Sequence, residues 1–237
     1  MIHILNRHCK FSTISQHKQR PVGFSREKCH WNLLNTLKGY EGQYELHYLF
    51  DGDPTDHFLE GLAPLVQLSA GSGAASFVKS IDYALEVAED EDIIYFLEDD
   101  YMHAPGWLPL LQEGCDISDN SYVSLYDHQD KYYRARLKSG KSTDPQYQKY
   151  RSEVTVTKSC HWRSAVSTTD TLAVKAKHLR EHKYTFVLFS TMGHISEDHK
   201  RGLKLGEEGL KLWTSIPGYS THMEPTYMSP VRDWEQV

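Results

Sequence analysis

Ile93-Ile94-Tyr95-Phe96-Leu97 is an apolar run of strand length, and it passes directly into Glu98-Asp99-Asp100. A short continuous apolar run with a polar end reads as a strand buried on both faces, the habit of parallel sheets covered by helices. The residues before it agree. After Gly71-Ser72-Gly73, the side chains of Phe77, Ile81, Ala84, Leu85 and Ala88 recur at helical spacing, and an acidic stretch, 89–92, leads into the strand. In open α/β sheets ligands sit beyond the carboxyl ends of the strands. Three acids at such a point repel one another unless something positive lies between them, so the layout predicts a cation site. Oxygen donors suit Mg2+ or Mn2+, which take one or two protein carboxylates and complete their shell with phosphate oxygens.

Working back toward the amino terminus, the pattern repeats. Ile2 to Leu5 reads as a first strand, and Ser25 precedes a helix in which Cys29, Leu33, Leu34 and Leu37 share a face, closed by Gly39. Tyr44 to Phe50 reads as a second strand ending in the turn Asp51-Gly52-Asp53-Pro54, which again places carboxylates past a strand end. Leu62 to Leu68 reads as a short third strand. Alternating strand and helix predicts an α/β fold with a mainly parallel central sheet flanked by helices. Gly71-Ser72-Gly73 has neither the dinucleotide fingerprint nor the Walker pattern and reads as a helix entry.

Toward the carboxyl terminus, 127–158 is polar, rich in Tyr, Lys, Arg and Ser, and reads as a long loop, either a segment that binds or covers a ligand or a plain surface insertion. Thr168 to Val174 reads as a strand and Lys175 to His182 as a short helix. A second helix spans Glu197 to Leu205 with Ser196 as its N-cap, and Lys211 to Ile216 is a late strand stopped by Pro217-Gly218. Within Ser196-Glu197-Asp198-His199, Asp198 has the chemistry of a general base, or equally of a carboxylate that stabilises the helix dipole at its start. His222 follows the late strand, and imidazole is a good Mn2+ ligand that completes a carboxylate site. Cys160-His161 carries no local signature of a thiol nucleophile.

The 237 residues fit one domain with a substantial core, and 39% apolar and 24% charged residues, with 15 Tyr and 5 Trp, are the profile of a globular protein with an aromatic-rich surface or cleft. A formal net charge of −6 argues against a general affinity for nucleic acid. Cys9, Cys29, Cys115 and Cys160 lack metal-ligand spacing and read as free thiols. The first residues lack the apolar core of a signal peptide and no segment has the length of a membrane span, so the expected compartment is cytoplasmic.

Taken in order, Asp51 after the second strand, Phe96-Leu97-Glu98-Asp99-Asp100-Tyr101, Ser196-Glu197-Asp198 and the late His222 resemble the GT-A nucleotide-sugar glycosyltransferases, particularly the inverting family 2-like enzymes. The resemblance covers most of the chain. It implies a single GT-A domain over 1–237, with a Rossmann-like sheet and a small additional β element. Within it, 1–101 would be the nucleotide-sugar-binding half and 102–237 the acceptor-binding and catalytic half. It further implies that Asp51 contacts the nucleotide base, that Glu98 and Asp99 hold the ribose or support the metal, and that Asp100 and His222 bind Mn2+ or Mg2+ on the donor diphosphate. Asp198 would deprotonate the acceptor hydroxyl, with Glu197 as its supporting neighbour. The implied donor is a UDP-sugar, with GDP or dTDP as other bases, and the acceptor is a glycan or small molecule. Glu98 stands where the family usually has Asp, and the Gln-any-any-Arg-Trp signature of processive synthases is absent, which implies transfer of single sugars. Trp162 and the 127–160 region are expected to line the acceptor pocket, because aromatic faces stack on sugar rings.

Two other readings compete. A nucleotidyltransferase shares the sheet and metal use, but its glycine-rich basic loop after the first strand has no counterpart in Asn6-Arg7-His8-Cys9-Lys10. A catalytically inactive nucleotide- or sugar-binding domain would keep the fold, and the joint presence of Asp100, Asp198 and His222 counts against it.

Overall fold

Strand β4 (Ile93–Glu98) lies at the middle of the architecture, a computed structural model that describes residues 1–12, 15–129, 151–191, 196–234 and 236–237. It pairs in parallel with β1 (Ile2–Cys9), from Ile2↔Ile93 to Arg7↔Glu98, and antiparallel with β9 (Leu172–Lys175). Both faces of β4 are covered. Ile93, Tyr95 and Leu97 enter one apolar cluster with Leu33, Leu37, Trp107 and Leu111, while Ile94 and Phe96 enter another with Phe77, Ile81 and Leu172. A strand with cores on both sides cannot alternate polar and apolar residues, which is why its sequence is an unbroken apolar run.

Beyond β1 the sheet continues through β2 (Tyr44–Asp51) and β3 (Leu65–Gln67), all parallel. On the other side it continues through β9, β6 (Ser121–Ser124), β10 (Lys211–Ile216), β8 (His161–Ala165) and β7 (Val154–Val156). Only β9 and β8 run against the common direction, so the sheet of nine described strands is mostly parallel. Helix α1 (Arg26–Leu37) starts at Ser25, whose side chain accepts from the Lys28 N–H, and α2 (Gly73–Val87) starts at Ser72, which accepts from the Ala75 N–H. These caps satisfy amide groups that a helix start leaves unpaired. Helix α3 (Trp107–Cys115) packs on the same face as α1, and α4 (Ala176–Glu181), α5 (Lys183–Thr191) and α6 (Asp198–Glu207) lie on the α2 side. A separate two-stranded sheet pairs β5 (Tyr101–His103) with β11 (Ser220–His222). Among the described residues, no helix is long and apolar enough to cross a membrane.

Several boundaries differ from the sequence reading, each for a physical reason. The first strand runs on to Cys9, because its pairing with β2 continues to Cys9↔Asp51, and within it His8 Nε2 lies 2.6 Å from Asn6 Oδ1. The third strand shrinks to Leu65–Gln67, since Leu62 stands exposed in a turn and Pro64 has no N–H to give a ladder. Pairing of β9 ends at Phe96↔Leu172, so Thr168 to Thr171 leave the sheet. Ser196 does not cap α6. Glu197 is the N-cap, without a side-chain cap bond, and the Ser196 hydroxyl donates to Asp170 Oδ2 at 2.8 Å. Of the polar 127–158 region, 130–150 lie outside the described residues, and Val154–Val156 form the edge strand β7.

Trp162 is not an acceptor platform. It is fully buried on β8, its indole N–H donates to Thr157 Oγ1 at 2.9 Å, and its ring lies so close to Gly114 of α3 that a Cβ there would sit 2.7 Å away.

Candidate functional site

The carboxyl ends of β1, β2 and β4 and the start of α2 enclose a cleft of about 990 Å³ lined by Arg7, Arg26, Asp51, residues 69–73 and Glu98-Asp99-Asp100, among others. Its position follows from topology: parallel neighbours all deliver their ends to one rim. Asp51 braces the loop before α2, accepting from the Gly71 N–H at 2.9 Å, and Gly71 takes a positive φ of 79° that suits glycine.

The three consecutive acids each meet their own cation. Glu98 Oε1 lies 3.7 Å from Arg7, its register partner on β1. Asp99 Oδ1 lies 3.0 Å from Arg26 Nε at the start of α1. Asp100 Oδ2 accepts from Arg20 at 2.7 Å and lies 3.0 Å from His222 Nε2 and 3.9 Å from Lys18 Nζ. Such different surroundings split the charge states. Burial pushes Asp99 up to about 7, against Arg26 and with the help of Asp100 and Glu98. Burial also raises Glu98, opposed by Arg7. For Asp100 burial acts the same way but loses: His222, Lys18 and Arg20 together hold its carboxyl well below the usual range.

His222 reaches Asp100 through the small second sheet, where His222↔Tyr101 is a register pair. That sheet is held to α1 by Asn32, whose side chain donates to the His103 carbonyl at 3.0 Å and accepts its N–H at 2.7 Å. The pair could hold a divalent cation, with Arg20 and Lys18 standing against Asp100 Oδ2 and His222 Nε2 in this structure. Among the described residues, Asp100 Oδ1 and Asp99 Oδ2 are buried without a hydrogen-bond partner, and carboxylate with imidazole is a donor set suited to Mn2+. No three His, Cys, Asp or Glu side chains converge here among the described residues, so an ion would meet at most two of them at once, a number that Asp100 and His222 could supply.

Asp198 is not among the side chains lining the cleft; it joins through a buried charge network. Arg201 binds Asp170 at 2.6 Å and Asp198 at 3.4 Å, and Arg7 lies 4.0 Å from Asp170 and 3.7 Å from Glu98. The two carboxyls therefore have unequal environments. Asp170 is lowered, because Arg201 and Arg7 outweigh its burial, whereas burial and the neighbouring Asp170 raise Asp198 well above the usual range. Glu197 does not support Asp198 directly: it pairs with Lys200 at 3.2 Å on the exposed side.

Helix α6 can bring Asp198 this close because of Gly202. A Cβ there would collide with the Val166 carbonyl oxygen and sit 2.9 Å from Ser167 Cα. Gly202→Ala is expected to destabilise the fold by about 1–3 kcal/mol, as overpacking does, and to displace Asp198. A denaturant midpoint that did not move would contradict this close packing.

The sequence reading missed Lys18, Arg20, Arg26, Asp170 and Arg201 as site residues. One signal was present: Arg7, Lys10, Lys18, Arg20, Arg26 and Lys28 crowd the segment after the first strand in a chain of net charge −6. Cys160 is buried just before β8, where burial pushes its thiol up, and it does not line the cleft. All four cysteines are free.

No protein-family model matches the chain, and no curated protein does either. Among solved structures, GalNAc-T7 with UDP, GalNAc and Mn2+ superimposes with a TM-score of 0.61 at 10% identity, over 93% of this chain and 42% of that one. Residues 1–349 of TarS from S. aureus superimpose with a TM-score of 0.54 at 15% identity, over 92% of this chain and 59% of that one. The chain thus spans about half the length of these two structures. The likeness establishes a GT-A fold, that of nucleotide-sugar glycosyltransferases.

Proposed function

We propose that this GT-A domain is an inverting, non-processive glycosyltransferase that moves one sugar from a nucleotide-diphosphate sugar, with UDP favoured, to an acceptor hydroxyl. The observation that carries the reading is the cleft at the strand ends, where Asp51 and the acids 98–100 stand opposite the start of α2 within about 990 Å³. Ligand sites of several hundred cubic ångströms with a few fixed polar groups suit a molecule of that size. The fold shared with GalNAc-T7, itself crystallised with UDP, GalNAc and Mn2+, supports the same substrate class.

In this reading 1–101 holds the donor and 102–237 supplies the base and the acceptor surface. Asp51 contacts the base, and Glu98 and Asp99 contact the ribose. Asp100 and His222 would hold Mn2+ or Mg2+, which would supply positive charge to the leaving diphosphate. Lys18 and Arg20, already beside Asp100, add to that positive field. Asp198 takes the proton of the acceptor hydroxyl as its oxygen attacks the anomeric carbon and the bond to the diphosphate breaks. One in-line displacement inverts that carbon and needs no enzyme nucleophile. The raised Asp198 suits the role, since a base works best with its pKa nearer the working pH than an ordinary carboxylate's.

A thermal-shift series with UDP-, GDP- and dTDP-sugars, each with and without Mn2+ or Mg2+, tests the donor. A UDP-sugar at about 100 times its Kd stabilises the native state by about 2.7 kcal/mol, or roughly 5–10 °C. A melting temperature unmoved by every nucleotide sugar, with or without metal, would defeat the proposal.

A further inference from the structure

At the opposite end of β1 and β2 from the cleft, three side chains converge on one point. His3 and Glu45 are register partners on the two strands, and His47 follows on β2. His3 Nδ1 lies 3.2 Å from His47 Nε2 and 3.5 Å from Glu45 Oε2, and His47 Nε2 lies 3.6 Å from that same oxygen. The triangle has the dimensions of one face of a metal tetrahedron. Ligands about 2.0–2.1 Å from a zinc ion stand roughly 3.3–3.4 Å apart.

The outward ring nitrogens are also engaged. His3 Nε2 lies 3.3 Å from Asp92 Oδ2, and His47 Nδ1 lies 2.9 Å from the Tyr83 hydroxyl on α2. Metal-bound histidines characteristically donate their second N–H to such partners. If His3 donates to Asp92 and His47 to Tyr83, the two facing nitrogens both present lone pairs, with a carboxylate oxygen beside them. Three acceptors at that spacing repel unless a cation lies among them. Paired central strands set the spacing, so the arrangement does not depend on a loop. His3 is buried while the Glu45 side chain is 55% exposed, which leaves one side open to water.

We propose that His3, Glu45 and His47 form a binding site for a divalent transition-metal ion of the zinc type, separate from the cleft and open to a fourth, solvent ligand. Two imidazoles and one carboxylate select zinc-like ions over Mg2+ or Ca2+, which prefer all-oxygen shells.

The test uses the full chain stripped of metal and titrated with Co2+ and with Zn2+ against a chromophoric chelator. One equivalent of Zn2+ is expected at this site, beyond any bound in the cleft, and Co2+ is expected to develop the strong visible bands of a tetrahedral site. Glu45→Gln alters an exposed side chain and is expected to weaken Zn2+ by about tenfold or more. His47→Gln is expected to remove the Co2+ bands. Asp100→Ala, in the cleft, is expected to keep them, so a failure here is distinguishable from a failure of the donor-site reading. Absence of tetrahedral Co2+ bands would overturn the site and leave a proton shared between His3 and His47 as the reason for their approach. Zn2+ affinity unchanged in Glu45→Gln and His47→Gln, with both variants folded by circular dichroism, would overturn it as well.

Discussion

Asp100→Ala is expected to abolish metal-dependent donor binding and to lower the stability of the free protein. Asp100 is buried, and its Oδ2 is the point on which Arg20, His222 and Lys18 converge. Truncation leaves Lys18 and Arg20 facing each other with no counter-charge. Losing one partner of a buried ion pair costs about 3–5 kcal/mol, and the lower end applies here because Lys18 and Arg20 are partly exposed and can turn toward water. The binding loss has a different origin, since the same substitution removes Oδ1, the buried oxygen without a partner. Calorimetric titration of a UDP-sugar with and without Mn2+ separates the two effects. A variant that bound donor with the wild-type dependence on Mn2+ would remove Asp100 from the metal site.

Asp198→Asn is expected to leave donor binding intact and to lower transfer by about 10²–10⁴, the usual contribution of a positioned base. Amide and carboxyl have the same shape, and Arg201 keeps its stronger contact with Asp170, so the fold is expected to survive. The pH profile gives a second reading. Asp198 works only when ionised, and burial together with Asp170 makes its proton harder to lose. Transfer should therefore rise with pH through a value above the ordinary carboxylate range, and that rise should vanish in Asp198→Asn. The apparent pKa belongs to the Asp170–Asp198 pair, because the two carboxyls titrate together. Wild-type transfer rates in the variant would rule out Asp198 as the base.

The elements legible in the sequence were those whose signal is local. The apolar run of β4, the helical spacing of α2 and the Ser25 cap of α1 each state their own conformation, because burial on two faces, burial on one face and an unpaired amide leave distinct patterns within a few residues. Strand-end acids were legible for the same reason. Trp162 misled because an aromatic residue in a polar stretch looks the same whether it stacks on a ligand or fills a gap beside Gly114. Asp170 was invisible within an apparent strand that in fact begins only at Leu172.

From the opening run, the sequence by itself determined that three carboxylates would meet at the end of a buried strand and that they would need positive charge. Which partners meet them was set by tertiary packing: Arg7 by strand register, Arg26 by the start of α1, and Arg20, Lys18 and the His222 imidazole by chain segments far away, His222 being 122 residues from Asp100. Hydrophobic periodicity records how deeply a residue is buried, not what it is buried against. An ion pair requires two particular side chains to arrive at one place, and only the packing of helices and sheets brings them there.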